Sequence, residues 1–382
     1  MSDGTAPLAF SCNVPSGSPA TPGFVTSTQA SQLKALPRTD PRWIRSVQRF
    51  MRDFETPNLT MLDGRSIEFW VFTDDANGNV FPSPLIRVTE GDLAQVTVKT
   101  SKGVHTIHHH GIEPDAFNDG VGHTSFEADD YTYQWQAHHA GTYFYHCHVN
   151  TTLHAQMGLF GPLVIDPDPF YDPAVPTGSR RLFRGGPVYK IANERIWAVY
   201  AADPRMHGLN HEAGLCGEDV GLNRFSPKYF MINNRDQKNG AITPQELAGT
   251  VPPPDRPPIL DPKIAISAKQ GETVLIRTIM AQYYPVTIQF GDDAHPLSAS
   301  IWGSDGRPFR RTFSYKGENE VGDCVSVNGI VTHVMSPAER WDFLINTGDF
   351  PLGDYPITML YSHWITGQPV GIAATQLSIT AP

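Results

Sequence analysis

The stretch Gly141-Thr-Tyr-Phe-Tyr-His146-Cys147-His148 is aromatic and β-branched, opens on a glycine and holds no proline, so it reads as extended chain. Side chains of an extended chain alternate between two faces. His146 and His148 therefore share one face, and Cys147 points to the other. A second stretch, His105-Thr-Ile-His108-His109-His110-Gly111, divides in the same way. His108 and His110 share a face, and His105 points away from them. Across both stretches one face gathers His105 and Cys147; the other gathers His108, His110, His146 and His148.

Outward from these stretches the chain is a succession of short strands bounded by Gly, Pro, Asn and Asp. The first half predicts strands at Ser66–Phe72, Leu85–Val88, Ala94–Thr100, Tyr131–Gln136, Gly141–His146 and Phe160–Ile165. The second half predicts them at Arg195–Ala201, Tyr229–Asn233, Ile264–Ser267, Thr273–Ile279, Val286–Phe290, Trp341–Asn346 and Ile357–Tyr361. Strands at this density without intervening helices predict β-sandwiches. One short helix is expected near the N-terminus. Thr39 or Asp40 can cap it, Pro41 suits its first turn, and Trp43, Ile44, Val47, Phe50, Met51 and Phe54 recur at helical spacing. Pro167, Pro169, Pro173 and Pro176 mark a linker, and six prolines between 252 and 262 mark an extended surface loop. The expected organisation is an irregular arm with its helix over 1–58, a first domain over 59–166, a linker over 167–179 and a second domain over 180–382.

Composition narrows the function. The chain has 382 residues, with 33 Gly, 33 Pro and only 18% charged residues, which argues against helical bundles and coiled coils. A net charge of −10 argues against nucleic-acid or anionic-membrane partners. No apolar run approaches the roughly 18 residues of a membrane span, and the start Met-Ser-Asp-Gly-Thr carries no export signal as written. The distinctive feature is the 15 histidines, ten of them between positions 105 and 154.

Two His nitrogens, a Cys sulfur and a Met thioether are the ligand set of a blue-copper electron-transfer site. His105, Cys147, His154 and Met157 supply that set, the last three from one short loop. Four imidazoles in two His-x-His pairs form a second candidate metal site, for which zinc is the competing ion. Copper is favoured by covalent continuity, because His146 and His148 flank Cys147 and offer a short through-bond path between the sites.

Residues 84–165 resemble the copper-binding domain of the multicopper oxidases and their relatives, the copper nitrite reductases. The resemblance rests on Pro84-Leu-Ile-Arg-Val-Thr-Glu-Gly91, His105–Gly111, Asn118-Asp-Gly-Val121, Gly141–His148 and Met157-Gly-Leu-Phe-Gly-Pro-Leu-Val-Ile165. A weaker match at Pro337-Ala-Glu-Arg-Trp-Asp-Phe-Leu-Ile345 extends it over most of 60–382. It implies an all-β chain of two tandem cupredoxin-like Greek-key sandwiches, the second mostly degenerate in its copper site, assembled as a homotrimer. It implies a type 1 copper on His105, Cys147, His154 and Met157. A type 2 or type 2/3-like site falls on His108, His110, His146 and His148, and His109 is left to packing. It further implies a small-molecule reductant, with a phenol or aromatic amine favoured, giving electrons near an exposed edge of His154, and O2 as acceptor. Periplasmic or secreted location is usual in the family.

The chain also departs from the family. Four further histidines would complete a trinuclear cluster, yet Tyr284–Gly291 has none and Met359-Leu-Tyr-Ser-His-Trp364 keeps only His363. His110, His146 and His363 match the nitrite-reductase type 2 pattern, with nitrite as the alternative acceptor, although His108 stands where those enzymes carry a carboxylate. A non-catalytic electron carrier is the third possibility. Among the remaining histidines, His123, His138 and His139 read as solvated, His295 and His333 as surface or core. His207 and His211 form a pair without a nearby third ligand. Cys12, Cys216 and Cys324 admit one disulfide at most, its pairing open. Asn58-Leu-Thr60 and Asn150-Thr-Thr152 fit the glycosylation pattern, the second reading as structural.

Overall fold

Alternating burial marks the strands. The computed structural model describes residues 24–61, 63–99, 103–122, 131–236, 260–309, 313–314, 317–318 and 327–382. Helix α1 (Ser27–Lys34) lies in the N-terminal arm and starts on a capping box between Thr26 and Gln29. The first sandwich comprises β1 (Val47–Glu55), β2 (Val71–Thr73), β3 (Ile86–Thr89), β4 (Leu93–Val98), β5 (His108–His110), β6 (Tyr131–Gln136), β7 (Gly141–His146) and β8 (Phe160–Asp166). Helix α2 (Thr151–Met157) connects β7 to β8. One sheet runs β2-β1-β4-β6 and the other β3-β8-β7-β5. The pairs β1–β4 and β3–β8 are parallel and the rest antiparallel, so strands far apart in sequence become neighbours, as in Greek-key sandwiches. Ile86, Val96, Trp135, Tyr143, Leu163 and Ile165 fill the space between the sheets.

The helix expected from Asp40 onward is not formed; its residues 47–55 are strand β1. Phe50 and Phe54, four apart, satisfy a helical period and a strand period equally. What decides is the partner: β1 pairs along Val47–Arg52 with β4 and along Asp53–Glu55 with β2, so its backbone groups are satisfied across the sheet. Arg52 lies between those two phenylalanines on the same face, buried, donating to the Tyr145 hydroxyl at 3.1 Å and to the Pro84 carbonyl at 3.2 Å.

The second sandwich contains β9 (Glu194–Ala202), β10 (Tyr229–Ile232), β11 (Ile266–Lys269), β12 (Thr273–Ile279), β13 (Val286–Phe290), β14 (Ala299–Ser304), β15 (Thr332–Met335), β16 (Arg340–Asn346), β17 (Gly353–Ser362) and β18 (Pro369–Thr380). One sheet is β10-β9-β12-β16-β14 with short strands at its ends; the facing sheet is β11-β18-β17-β13-β15. In β17, Tyr355, Ile357, Met359 and Tyr361 point inward while alternate residues face out. The chain is therefore all-β, two sandwiches in tandem. No helix among the described residues is long and apolar enough to cross a membrane.

Two contacts lock the sandwiches together. Phe69, Phe81, Phe144, Phe160, Tyr200 and Ile279, drawn from both, form one apolar cluster. Beside it runs a buried ionic chain. Arg277 reaches Glu194 at 2.7 Å, Asp342 at 3.3 Å and the Thr142 hydroxyl at 2.8 Å. Arg87 reaches Glu194 at 2.7 Å and Asp166 at 2.8 Å. Strand β7, which ends in His146, is thus anchored on its outer side before it delivers its histidine.

Candidate metal centres

Strand β5 lies antiparallel to β7, with His108 opposite His146, His109 opposite Tyr145 and His110 opposite Phe144. Directly opposed residues share a face, so the pairing brings His108, His110 and His146 together. Ligand atoms of these three lie within 4.8 Å of one another. His110 Nδ1 is 3.3 Å from His146 Nε2. The outer nitrogens are spoken for: His108 Nδ1 donates to the Asp119 carbonyl at 2.8 Å, and His146 Nδ1 to the Cys147 carbonyl at 2.8 Å. Such bonds set the tautomer and aim the opposite nitrogen, Nε2, at a metal. His148 stands at the edge of this group, its ring 5.5 Å from those of His108 and His146 and its Nδ1 3.1 Å from the Thr151 hydroxyl.

The Asp119 carbonyl is held in place by Gly120, at φ +71°, where a Cβ would stand 2.2 Å from the Ile107 carbonyl oxygen. Only glycine tolerates both the backbone angle and that approach. Gly120→Ala is expected to cost about 1–3 kcal/mol and to weaken metal binding by releasing His108. Urea unfolding and a metal titration of the same sample check it, and an unchanged pair of values would show that the loop does not aim His108.

The other face of the same strand ends forms a second group. Cys147 is wholly buried, its sulfur 3.3 Å from His154 Nδ1 and 3.6 Å from His105 Nδ1. An ion about 2.0–2.3 Å from each donor places such donors roughly 3.3–3.8 Å apart, so the spacing fits one shared metal. Asn150, in the left-handed conformation at φ 43°, turns the chain into α2. His154 and Met157, three residues apart, then project from one side of that helix. Met157 is fully buried, and its carbonyl accepts from the Trp70 amide at 2.8 Å. Phe54 packs on His105 at 4.3 Å and Trp70 edges His154 at 5.3 Å between ring centres. The soft sulfur donors with two imidazoles fit copper.

Burial favours the neutral form of four of these imidazoles, His105, His110, His146 and His154. It pushes His105 down to about 2, with His154 adding to the effect, and His154 down to about 4. It pushes His110 to about 3 and His146 well below the usual imidazole range. Neutral imidazole is the ligand form, so a metal need displace few protons here.

Other expected residues fall elsewhere. His363 belongs to neither cluster; it sits in the β17–β18 turn with its ring 5.4 Å from Tyr284. His109 is buried against Trp135 at 5.2 Å, on the strand face opposite His108 and His110, and belongs to neither cluster. His154 has no exposed edge: it is fully buried, and Nε2 donates to the carbonyl of His211 at 3.3 Å. The cause is the segment between β9 and β10, which folds over it. The expectation that His211 lacks neighbours is also overturned, since its ligand atoms lie within 4.8 Å of those of His105 and His154. His207 is separate, buried, with Nδ1 donating to the Glu68 carbonyl at 2.6 Å. His211 escaped the sequence reading because its neighbours are 57 and 106 residues away along the chain; the only signal was its place in a His-Gly-Leu-Asn-His run. His138 and His139 are exposed, His295 faces Asp292 at 3.1 Å, and His333 packs on Trp341. His123, Cys12, Cys324 and the proline loop over 252–259 lie outside the described residues.

The multicopper oxidase family model matches residues 57–169. Laccase abr2 of Aspergillus fumigatus is 31% identical over 194 residues, covering 46% of this chain and 30% of that protein. The copper resistance protein A homolog of Pseudomonas syringae pv. tomato is 43% identical over 102 residues, covering 25% of this chain and 17% of that one. The chain thus spans less than a third of the length of these curated relatives. The blue copper oxidase of Nitrosomonas europaea has a similar fold, with a TM-score of 0.57 at 23% identity over 88% of this chain and 86% of its own. Residues 57–169 match a multicopper oxidase domain, in a chain that shares the overall fold of the solved blue copper oxidase.

Proposed function

We propose that the chain is a copper-dependent oxidoreductase of multicopper-oxidase type, with a phenol or aromatic amine as donor and O2 as acceptor. One observation carries the proposal: Cys147, whose sulfur faces two imidazole nitrogens at 3.3 and 3.6 Å, is bonded directly to His146 of the three-histidine cluster. Copper at the two centres would supply one-electron transfer at the first and reduction of a small oxidant at the second. His105, Cys147, His154 and Met157 hold the first; His108, His110, His146 and His148 hold the second. The covalent run His146-Cys147-His148 joins them. Reduction of one O2 to two waters takes four electrons and four protons, hence four one-electron donors. Copper counted per chain, together with oxygen uptake on a phenol, tests this; a coloured protein without uptake would instead be an electron carrier.

Nitrite as acceptor is favoured by a separate observation. At the second centre three histidines, His108, His110 and His146, converge tightly, and among the described residues the second sandwich adds none to them. A single copper shared between subunits would then be completed by His363 of a neighbouring copy, in a ring that closes after three copies. Trp364 and Ile365 beside it are 67% and 69% exposed, apolar surface suited to a subunit contact. His363 Nδ1 accepts from the amides of Ile365 and Thr366 at 3.3 and 3.2 Å, which puts the ring proton on Nε2. Ligation therefore requires the ring to turn. His363→Ala is expected to keep the blue colour and lose turnover, and a fully active variant would exclude His363 from the site.

A further inference from the structure

The segment 203–225 leaves β9, crosses the end of the first sandwich and returns to β10. Asp203 ties its base, accepting from the amides of Arg205 and Ser226, each at 2.9 Å. Met206 and Ala213 enter the first sandwich's core. Asn150, at the start of α2, donates to the Ala213 carbonyl at 3.0 Å. His207 is tied to Glu68, as described. The segment is therefore built onto the Cys147 centre from several sides.

His211 is where it meets that centre. Its ring stacks on Trp70 at 5.7 Å and 29°. It stands edge-on to His105 at 4.8 Å and lies 4.6 Å from His154. Gly103 leaves room for it: a Cβ there would be 3.2 Å from the ring. The Nε2 atoms of His105 and His211 are both buried with no hydrogen-bond partner among the described residues. A water reaching this spot would find polar atoms to bind, yet the ring fills the space beside them.

We propose that His211 is a positioning residue of the Cys147 centre, its carbonyl holding His154 and its ring sealing the outer side of His105 and His154 against water. This rests on the reading above that His105, Cys147 and His154 hold copper. The shell around such a site controls solvent access and therefore redox potential. Water stabilises the oxidised, more highly charged ion, so a dry shell keeps the potential high. The donor-facing surface becomes the outer face of segment 203–225 instead of the His154 edge. Electron donors must then act over that roof, and donor choice is set by its surface.

The carbonyl belongs to the main chain, so substitution at 211 tests the ring alone. In the copper-loaded full chain, His211→Ala should keep the blue colour, lower the midpoint potential and admit exchangeable deuterium near the copper after transfer to D2O. His211→Phe restores the ring without its nitrogens and should return both readings to those of the parent protein. If His211→Ala does not fold, His211→Asn takes its place with the same expectation. A blue parent whose small-residue variant shows unmoved potential and no deuterium overturns the inference, as does a Phe variant that behaves like Ala. A parent that is not blue overturns instead the copper reading on which it stands.

Discussion

Cys147→Ser is expected to leave the copper-loaded protein without its blue colour and with one copper fewer per chain. The two side chains are nearly isosteric, so the buried site keeps its packing and the change isolates the donor atom. A thiolate is a soft, polarizable ligand that selects copper, and an alcohol is a poor replacement that stays protonated at neutral pH. His105 and His154 remain, but two imidazoles and a thioether bind copper more weakly than the full set. The cluster of His108, His110 and His146 lies on the opposite face of the strands and should keep its metal. Absorption spectra and metal analysis on the parent and the variant check both halves. A parent protein that is colourless with oxidised copper bound, or a variant that stays blue, would remove Cys147 from the first centre.

Much of this site was legible because strand alternation is a strict geometric rule. Two His-x-His pairs on extended chain have to present their histidines together, and the intervening Cys147 has to point the other way. The all-β tandem arrangement was legible for the same reason, although six and seven strands were expected where the two sandwiches have eight and ten main strands. Strand β1 was not, because Phe50 and Phe54 fit both periods and the deciding factor, the free edges of β2 and β4, arises only in the assembled sheet. His154 as an exposed edge was misjudged because exposure depends on what lies across the site. The covering segment joins β9 to β10, in the other sandwich, and no local pattern announces where such a connection will settle. His211 and the buried chain Arg87–Glu194–Arg277–Asp342 are long-range in the same sense. Each of these charges, read alone, looks like surface.

Removing Glu194 is expected to be among the most destabilising single changes in the chain. Its carboxylate is shared by two guanidiniums, Arg277 and Arg87, each at 2.7 Å, and it accepts from the Tyr189 hydroxyl at 3.1 Å. Glu194→Ala would strand the fully buried Arg277 with Asp342 alone, and breaking a buried pair costs about 3–5 kcal/mol. Burial by itself would raise the Glu194 carboxyl, but Arg277 and Arg87 outweigh it and hold it down at about 2, against an ordinary 4.5. A carboxyl lowered in the folded chain contributes stability above its unfolded value and loses it as pH falls through the folded one. At 1.36 kcal/mol per pK unit the shift is worth about 3 kcal/mol, present at neutral pH and fading between pH 4.5 and 2. Asp342, pushed up chiefly by its burial, acts in the opposite sense and blunts part of that loss. Urea unfolding of the parent and of Glu194→Gln across this window should therefore converge as the pH drops. A triple replacement of Glu194, Arg277 and Asp342 by apolar residues of similar volume should recover much of the stability at neutral pH, because it removes the desolvation cost along with the attraction. Parallel curves at every pH, or a Glu194→Ala protein as stable as the parent, would show that the apolar cluster alone holds the sandwiches together.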